Sequence, residues 1–173
     1  MDFVELVKER YSVRSFDSKK VEKEKLDLIL ESARLAPTAA NRQPQRILVL
    51  ESDEALEKLK SCTTYHFNAP LALVVCVDTE TSWKRVKFDG KSSSDIDASI
   101  ITTHMMLQLH ELGLGSTWVG FFDPVAIKEA YNIPDNLEAI SILPVGYPSQ
   151  DSKPSPMHTT RKELSEIVFY NKF

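Results

Sequence analysis

The sequence predicts an α+β fold, and three observations carry that prediction. Segments with helical spacing alternate with aliphatic runs, but the runs are few and short, which argues against a doubly wound parallel sheet. One helical segment, Asp95 to Leu112, is apolar on nearly every side and so reads as the central helix of the fold. The chain has 173 residues with no internal repeat and no sign of a second part, the size of one domain spanning residues 1–173.

The elements follow in order. Asp2 caps a short helix through Arg10, with Phe3, Leu6 and Val7 on its apolar face. A turn-like stretch from Tyr11 to Lys20 leads to a helix over Lys23 to Ala36. Its Leu26, Ile29, Leu30 and Ala33 share one face, and Pro37 stops it. Ile47 to Leu50 is a strand, and Ser52 or Asp53 then caps a short helix carrying Leu56 and Leu59. Leu71 to Val77 is the strongest strand, uncharged and so buried on both faces. Thr79 to Ser94 reads as a loop or a short irregular helix. The central helix ends at Gly113. Ser116 to Val119 is a short strand, Pro124 to Tyr131 a helix with proline at its start, and Ile140 to Val145 a further strand. A Pro/Ser-rich connector, a last helix over Arg161 to Val168 and an aromatic tail complete the chain.

Composition excludes several classes. Hydrophobic residues make up 42% and charged residues 27%, a globular balance rather than a disordered or membrane one. Lys and Arg number 21 against 25 Asp and Glu, so nothing suggests a nucleic-acid surface. No apolar run approaches the roughly 20 residues of a membrane span, and Met1 to Glu5 lacks the features of a signal peptide. The cytoplasm is the expected location. Cys62 and Cys76 are far apart and form no zinc or redox motif. His66, His104, His110 and His158 include no pair at metal-ligand spacing.

Four segments carry candidate chemistry. In Arg10-Tyr11-Ser12-Val13-Arg14-Ser15-Phe16, two guanidinium forks flank a hydroxyl and match phosphate oxygens. Two solvated arginines after a helix is the competing reading. The loop Ala36 to Gln45 combines small residues, which admit a flat ligand, with the amides of Asn41 and Gln43, and ordinary loop composition fits it equally. Leu112 to Gly120 places Gly113, Gly115 and Gly120 around a short strand. It lacks the third glycine of a dinucleotide fingerprint, and no P-loop occurs anywhere. Leu143 to Pro148 ends a buried strand at a Gly/Pro corner. Beyond it stands Arg161 at an expected helix start, where a bound anion would relieve the clash with the helix dipole and where simple solvation is the alternative.

In this order, R-Y-S-V-R-S-F, A-P-T-A-A-N-R-Q-P-Q, G-L-G-S-T-W-V-G and L-P-V-G-Y-P resemble the nitroreductase family of FMN enzymes over nearly the whole chain. The resemblance implies a central mixed or antiparallel sheet flanked by helices, a long buried central helix and an intertwined homodimer with FMN at the subunit interface. It implies that Arg10 and Ser12 hold the phosphate and ribityl chain, with Arg161 as a second phosphate ligand. Arg14 would lie toward the pyrimidine edge. Tyr11 stands in the same motif, where many relatives have a second arginine. Pro37, Thr38, Ala39, Asn41 and Gln43 would reach the flavin bound mainly by the other subunit. Thr117, Trp118, Val119 and Gly120 would line its buried face, with Pro144, Val145 and Gly146 near the ring's edge. The segment that covers the active site would be reduced to Thr64–Phe67 and Trp83–Gly90. The implied activity is hydride transfer from NADH or NADPH to flavin N5 and then to a small acceptor such as a nitroaromatic or quinone, in a ping-pong scheme without a protein acid or base. A flavin-binding carrier or sensor without efficient turnover, and a flavin-free structural dimer, are the alternatives.

Overall fold

The computed structural model describes residues 2–173, so the expectation at Met1 lies outside the described residues. Its organisation follows from one strand. Leu71–Asp78 (β2) carries eight buried residues in succession, which requires cover on both sheet faces. Leu71, Leu73, Val75 and Val77 point to one side, and Ala72, Val74 and Cys76 to the other, as the two-residue period of a strand dictates. β2 pairs antiparallel with Gln45–Leu50 (β1) on one side and Leu137–Gly146 (β4) on the other. A two-residue strand, Gly115–Ser116 (β3), closes the far edge beside β4. The strand order is β1-β2-β4-β3. The expected mixed or antiparallel sheet is therefore antiparallel in all its named strands, and a single parallel bridge, Ser12 to Ser116, joins the N-terminal segment to its edge.

The helices divide between the faces. After Phe3–Glu9 (α1), helix Lys23–Leu35 (α2) and helix Ser94–Glu111 (α4) pack on one face. Asp53–Cys62 (α3) and Pro124–Ala130 (α5) pack on the other. A four-residue turn of helix, Leu164–Ile167 (α6), lies near the end of the chain. Buried residues of α4 include Asp97, Ala98, Ile101, Thr102, Met105 and Leu109, so the expected central helix is present. Even its core polar group is satisfied: Thr102 Oγ1 donates to Ala98 O and lies 3.1 Å from Ser141 Oγ on β4. Gly113 ends α4 in the left-handed conformation (φ 74°), and Leu114 N donates back to Leu109 O. Among the described residues, no helix is long and apolar enough to cross a membrane.

Several expectations are corrected. β1 and β4 begin earlier than the aliphatic runs suggest, and β4 holds a bulge at Ile140, where Val75 faces Ser141 and Cys76 faces Ala139. The strand expected over Ser116–Val119 is only Gly115–Ser116. Beyond it the chain touches β4 through one isolated bridge, Val119 to Ile142. The last helix starts at Leu164 rather than Arg161, because Glu163 and Glu166 form a capping box. Arg161 thus precedes the helix and faces no dipole conflict. Thr79–Ser94 contains a small hairpin, with Lys84 bridged to Ser92 and Arg85 paired with Asp89 at its tip. The apolar face expected on α1 is only partly covered among the described residues, at Leu6. Phe3 and Val7 are exposed, and every residue from Thr159 to Phe173 is exposed as well.

One polar cluster ties three elements together. Lys25 Nζ on α2 donates to Leu112 O at the end of α4 (2.8 Å) and to Tyr147 Oη after β4 (2.9 Å). Tyr147 Oη in turn donates to Glu22 Oε2 (2.6 Å), and Lys19 pairs with the same carboxylate. The Tyr147 hydroxyl first, and then Lys19, hold the Glu22 carboxyl at about 2, below its ordinary 4.5. A depressed folded pKa adds stability above the ordinary value that is lost as pH falls toward the folded one. Glu22→Gln is therefore expected to melt earlier than the native chain at pH 7, with the gap closing between about pH 4.5 and about 2. Thermal unfolding across that range checks this, and a gap that does not change with pH would refute it.

Candidate functional site

The end of α1 and the edge of the sheet bring the first motif into place. Arg10 is the C-cap of α1. Val13 N then donates to Ser116 O (3.0 Å), anchoring the segment along β3. The approach is close enough that a Cβ on Gly115 would fall on the Val13 side chain, so a glycine is needed there. Ser12 bridges Ser116 through its backbone, and its carbonyl accepts from Arg14 Nη1 (3.2 Å). Tyr11 Oη lies 3.2 Å from Ser152 Oγ, and its ring meets His158 edge-on at 6.3 Å. His158 Nε2 also contacts Lys8 O at 3.0 Å. These contacts dock the C-terminal connector on α1 and bring Arg161 toward Arg10.

The result is a concentration of positive charge. Arg10 Nη1 is buried without a hydrogen-bond partner. Burial and then the neighbouring Arg161 pull the Arg10 pKa below its ordinary value. A buried, unpaired guanidinium nitrogen facing a second arginine is costly unless an anion completes it. His110 Nε2 is likewise buried and unpartnered, and burial holds its pKa below the ordinary histidine value. The arrangement fits a phosphate group, whose oxygens can take several charge-assisted bonds.

Beside this cluster, Arg14, Thr117, Trp118, Val119 and Gly120 line one cavity of about 250 Å³. Tyr65, Phe67 and Phe121 complete its wall. Tyr65 meets Phe121 edge-on at 5.6 Å, and Thr63 Oγ1 donates to Phe121 O (2.6 Å), fixing the two segments to each other. Thr64–Phe67 is a segment singled out in the sequence as a cover, whereas Phe121 was not anticipated. Its only signal was its place directly after Gly120. Pro144, Val145 and Gly146 are buried in β4 beneath this region, with Val145 opposite Ser116. Gly146 has no room for a side chain, because Pro70 and Phe16 occupy the space.

The loop from Pro37 to Gln43 lies elsewhere. Ala39 N donates to Asp97 Oδ1 (2.8 Å), which places the loop at the N-terminal end of α4. The arginine pair lies at the opposite end, where Arg10 neighbours His110. From Asp97 to His110 the helix rises roughly 20 Å, so one chain does not bring Ala39, Asn41 and Gln43 to Arg10. The loop takes an unusual shape: Ala40, Asn41 and Gln43 all have φ near +50°. Such residues cost on the order of 1–3 kcal/mol each and persist only where surrounding bonds over-determine them. Here Gln43 N donates to Thr38 Oγ1 (3.0 Å) and Asn41 N to Thr38 O (3.0 Å). Among the described residues, no group of three or more His, Cys, Asp or Glu side chains is placed to hold a metal ion.

Comparison with known proteins gives one consistent result. The model of the Nitroreductase family matches residues 7–65 and 64–147. A crystal structure of a nitroreductase family protein from Clostridium difficile 630 is 50% identical and superposes with a TM-score of 0.94 over 100% of both chains. An FMN-dependent nitroreductase from Clostridium difficile R20291 is 30% identical, with a TM-score of 0.82 over 99% of this chain and 100% of its own. A protein of Methanothermobacter thermautotrophicus, assigned as an NADH dehydrogenase/NAD(P)H nitroreductase, is 32% identical over 87% of this chain and 80% of its own.

The unpaired charge at Arg10 makes a prediction that needs no cofactor. Millimolar inorganic phosphate should raise the melting temperature of the ligand-free protein above that in chloride of equal ionic strength. Arg10→Ala and Arg161→Ala should each remove that increment. An increment that survives both substitutions would place the anion elsewhere.

Proposed function

The chain belongs to the nitroreductase family, and we propose that it works as a homodimeric FMN oxidoreductase, fed by NADH or NADPH, that reduces a small acceptor. The observation that carries this reading is the buried, unpartnered Arg10 guanidinium beside Arg161, with the Arg14 and Trp118 cavity next to it. An anionic head and a flat, half-apolar body are the two features that such a site selects.

The residues divide the work. Arg10, Ser12 and Arg161 hold the phosphate and ribityl chain, and Tyr11 keeps the connector that delivers Arg161 docked on α1. Arg14 lies at the pyrimidine edge, where its charge favours an anionic reduced ring. Thr117, Trp118, Val119 and Gly120 form the wall behind the ring, backed by Pro144, Val145 and Gly146. Tyr65, Phe67 and Phe121 border the side left for nicotinamide and acceptor, and their faces suit planar molecules. When bound, FMN supplies the hydride chemistry, in a ping-pong exchange between nicotinamide and acceptor such as a nitroaromatic or quinone. No side chain needs to act as acid or base, consistent with the aromatic and backbone lining of the cavity.

A second copy of the chain completes the site. The loop bearing Pro37, Thr38, Ala39, Asn41 and Gln43 lies at one end of α4 and the Arg10–Arg161 pair at the other, so a two-fold pair with crossing α4 helices brings each loop to its partner's flavin. The same pairing covers the apolar groups that the single chain leaves exposed. Phe3 and Val7 on α1, Ile96 on α4, and Leu164, Ile167 and Phe169 near the terminus are examples. The exposed run from Thr159 onward is long enough to wrap the other subunit, as an intertwined dimer requires.

Purified protein should be yellow with bound FMN, run as a dimer in sedimentation, and consume NADH or NADPH steadily when a nitroaromatic or quinone is supplied. Replacing both Arg10 and Arg14 with alanine should weaken FMN binding by about two orders of magnitude or more. Colourless protein that takes up no FMN would overturn the reading. Bound FMN that neither nicotinamide reduces would make the protein a flavin carrier instead.

A further inference from the structure

Asp97 is 1% exposed in the first turns of α4, and each of its carboxylate oxygens holds a different segment. Oδ1 accepts from Ala39 N (2.8 Å) in the strained loop. Oδ2 accepts from Ser93 Oγ (2.8 Å). Ser93 is the residue at which the 84–92 hairpin rejoins the helix, and its own N–H donates to Trp83 O (2.9 Å). The carboxylate is not serving as an ordinary cap, since its bonds go to Ala39 N and Ser93 Oγ rather than to the N–H groups of the first turn of α4. What the side chain adds is a link to residue 39, fifty-eight positions away in the sequence. A buried carboxylate is tolerated here because both oxygens are bonded and the positive end of the helix dipole faces it.

We propose that Asp97 is a positioning residue for the cofactor-binding loop. Through Ala39 it keeps the left-handed turn at Ala40, Asn41 and Gln43 in the shape that meets the partner's flavin, and through Ser93 it sets the hairpin carrying Val86 and Phe88 in fixed relation to that loop. The inference rests on the dimeric flavin site proposed above. The loop's φ angles give it a standing tendency to relax to common conformations. Thr38 restrains it from inside through Oγ1 and its carbonyl, and Asp97 restrains it from the body of the fold. Without the carboxylate, Ala39 N loses its buried acceptor and the loop loses its tie to α4.

Asp97→Ala is expected to speed hydrogen exchange in the segment 38–43 and to raise the Kd for FMN at least about tenfold, the effect of one buried donor left unpaired. Asp97→Asn keeps an acceptor for Ala39 N–H and an amide donor toward Ser93 Oγ, so it should restore the affinity to within about threefold of native. Melting temperature and exchange outside 38–43, which should change little, separate this local effect from a general loss of stability. Should Asp97→Ala fail to fold, Ala39→Pro removes the same N–H while leaving the carboxylate. Thr38 is extended (φ −131°, ψ 156°), as a residue before proline must be, and the first position of a helical turn accepts proline. It should reproduce the loss of affinity. The proposal is overturned if exchange in 38–43 is unchanged by Asp97→Ala, or if the loop opens while FMN affinity and kcat/KM stay native. Native protein that binds no FMN at all would defeat the flavin reading, while the exchange measurement would still report whether Asp97 holds the loop.

Discussion

Helix α4 lies in the core because β2 buries both of its faces, and that packing governs everything functional in the chain. Ile101, Met105 and Leu109 seat the helix on the sheet, and the Thr102–Ser141 contact fixes its height against β4. With eighteen residues the helix spans roughly 27 Å, and its two ends hold two different kinds of equipment. At the C-terminal end, Gly113 turns the chain into β3, where Val13 and Ser12 attach and the arginines collect. At the N-terminal end, Asp97 grips the 38–43 loop. The catalytic geometry is thus a matter of where a rigid rod begins and ends rather than of flexible loops finding each other.

The electrostatics follow the same division. Cationic groups are concentrated where the N-terminal segment and the C-terminal connector meet, at Arg10 and Arg161. The carboxylate that matters most at the other end is buried and bonded to uncharged donors. A chain with a formal net charge of −4 still gathers positive charge locally, because Tyr11 and His158 bring distant arginines together. Clustering, not the sum of charges, decides what such a surface attracts.

Much of this was legible in the sequence wherever the signal is local. The face of α2 made by Leu26, Ile29 and Ala33, the stop at Pro37, the uncharged run of β2 and the termination at Gly113 all express rules that act within a few residues. The grouping of Arg14 with Thr117–Gly120 could be reached only through family resemblance, since nothing in either motif points to the other. Three features escaped for physical reasons. Phe3 and Val7 have the spacing of a core face, yet both are exposed, because spacing marks an apolar face without saying what packs on it. The helix expected from Arg161 starts only at Leu164, because the capping box of Glu163 and Glu166 sets the start and carries no Ser, Thr, Asp or Asn signal. Asp97 looks like any acidic residue in a first helical turn, and its bond to Ala39 spans too much sequence for any local pattern to reveal.

The two-ended helix has a genetic consequence. In the proposed dimer each active site draws on the arginine cluster of one subunit and the loop of the other, so damage at the two ends belongs to different chains. A subunit lacking Arg10 and a subunit with a broken loop, paired together, would place both lesions in one site and leave the other with neither. Alleles that are each null alone would then complement in a mixed dimer, at up to half the activity of the native pair. The single rod that makes every site depend on two chains also lets two defective chains supply one intact site.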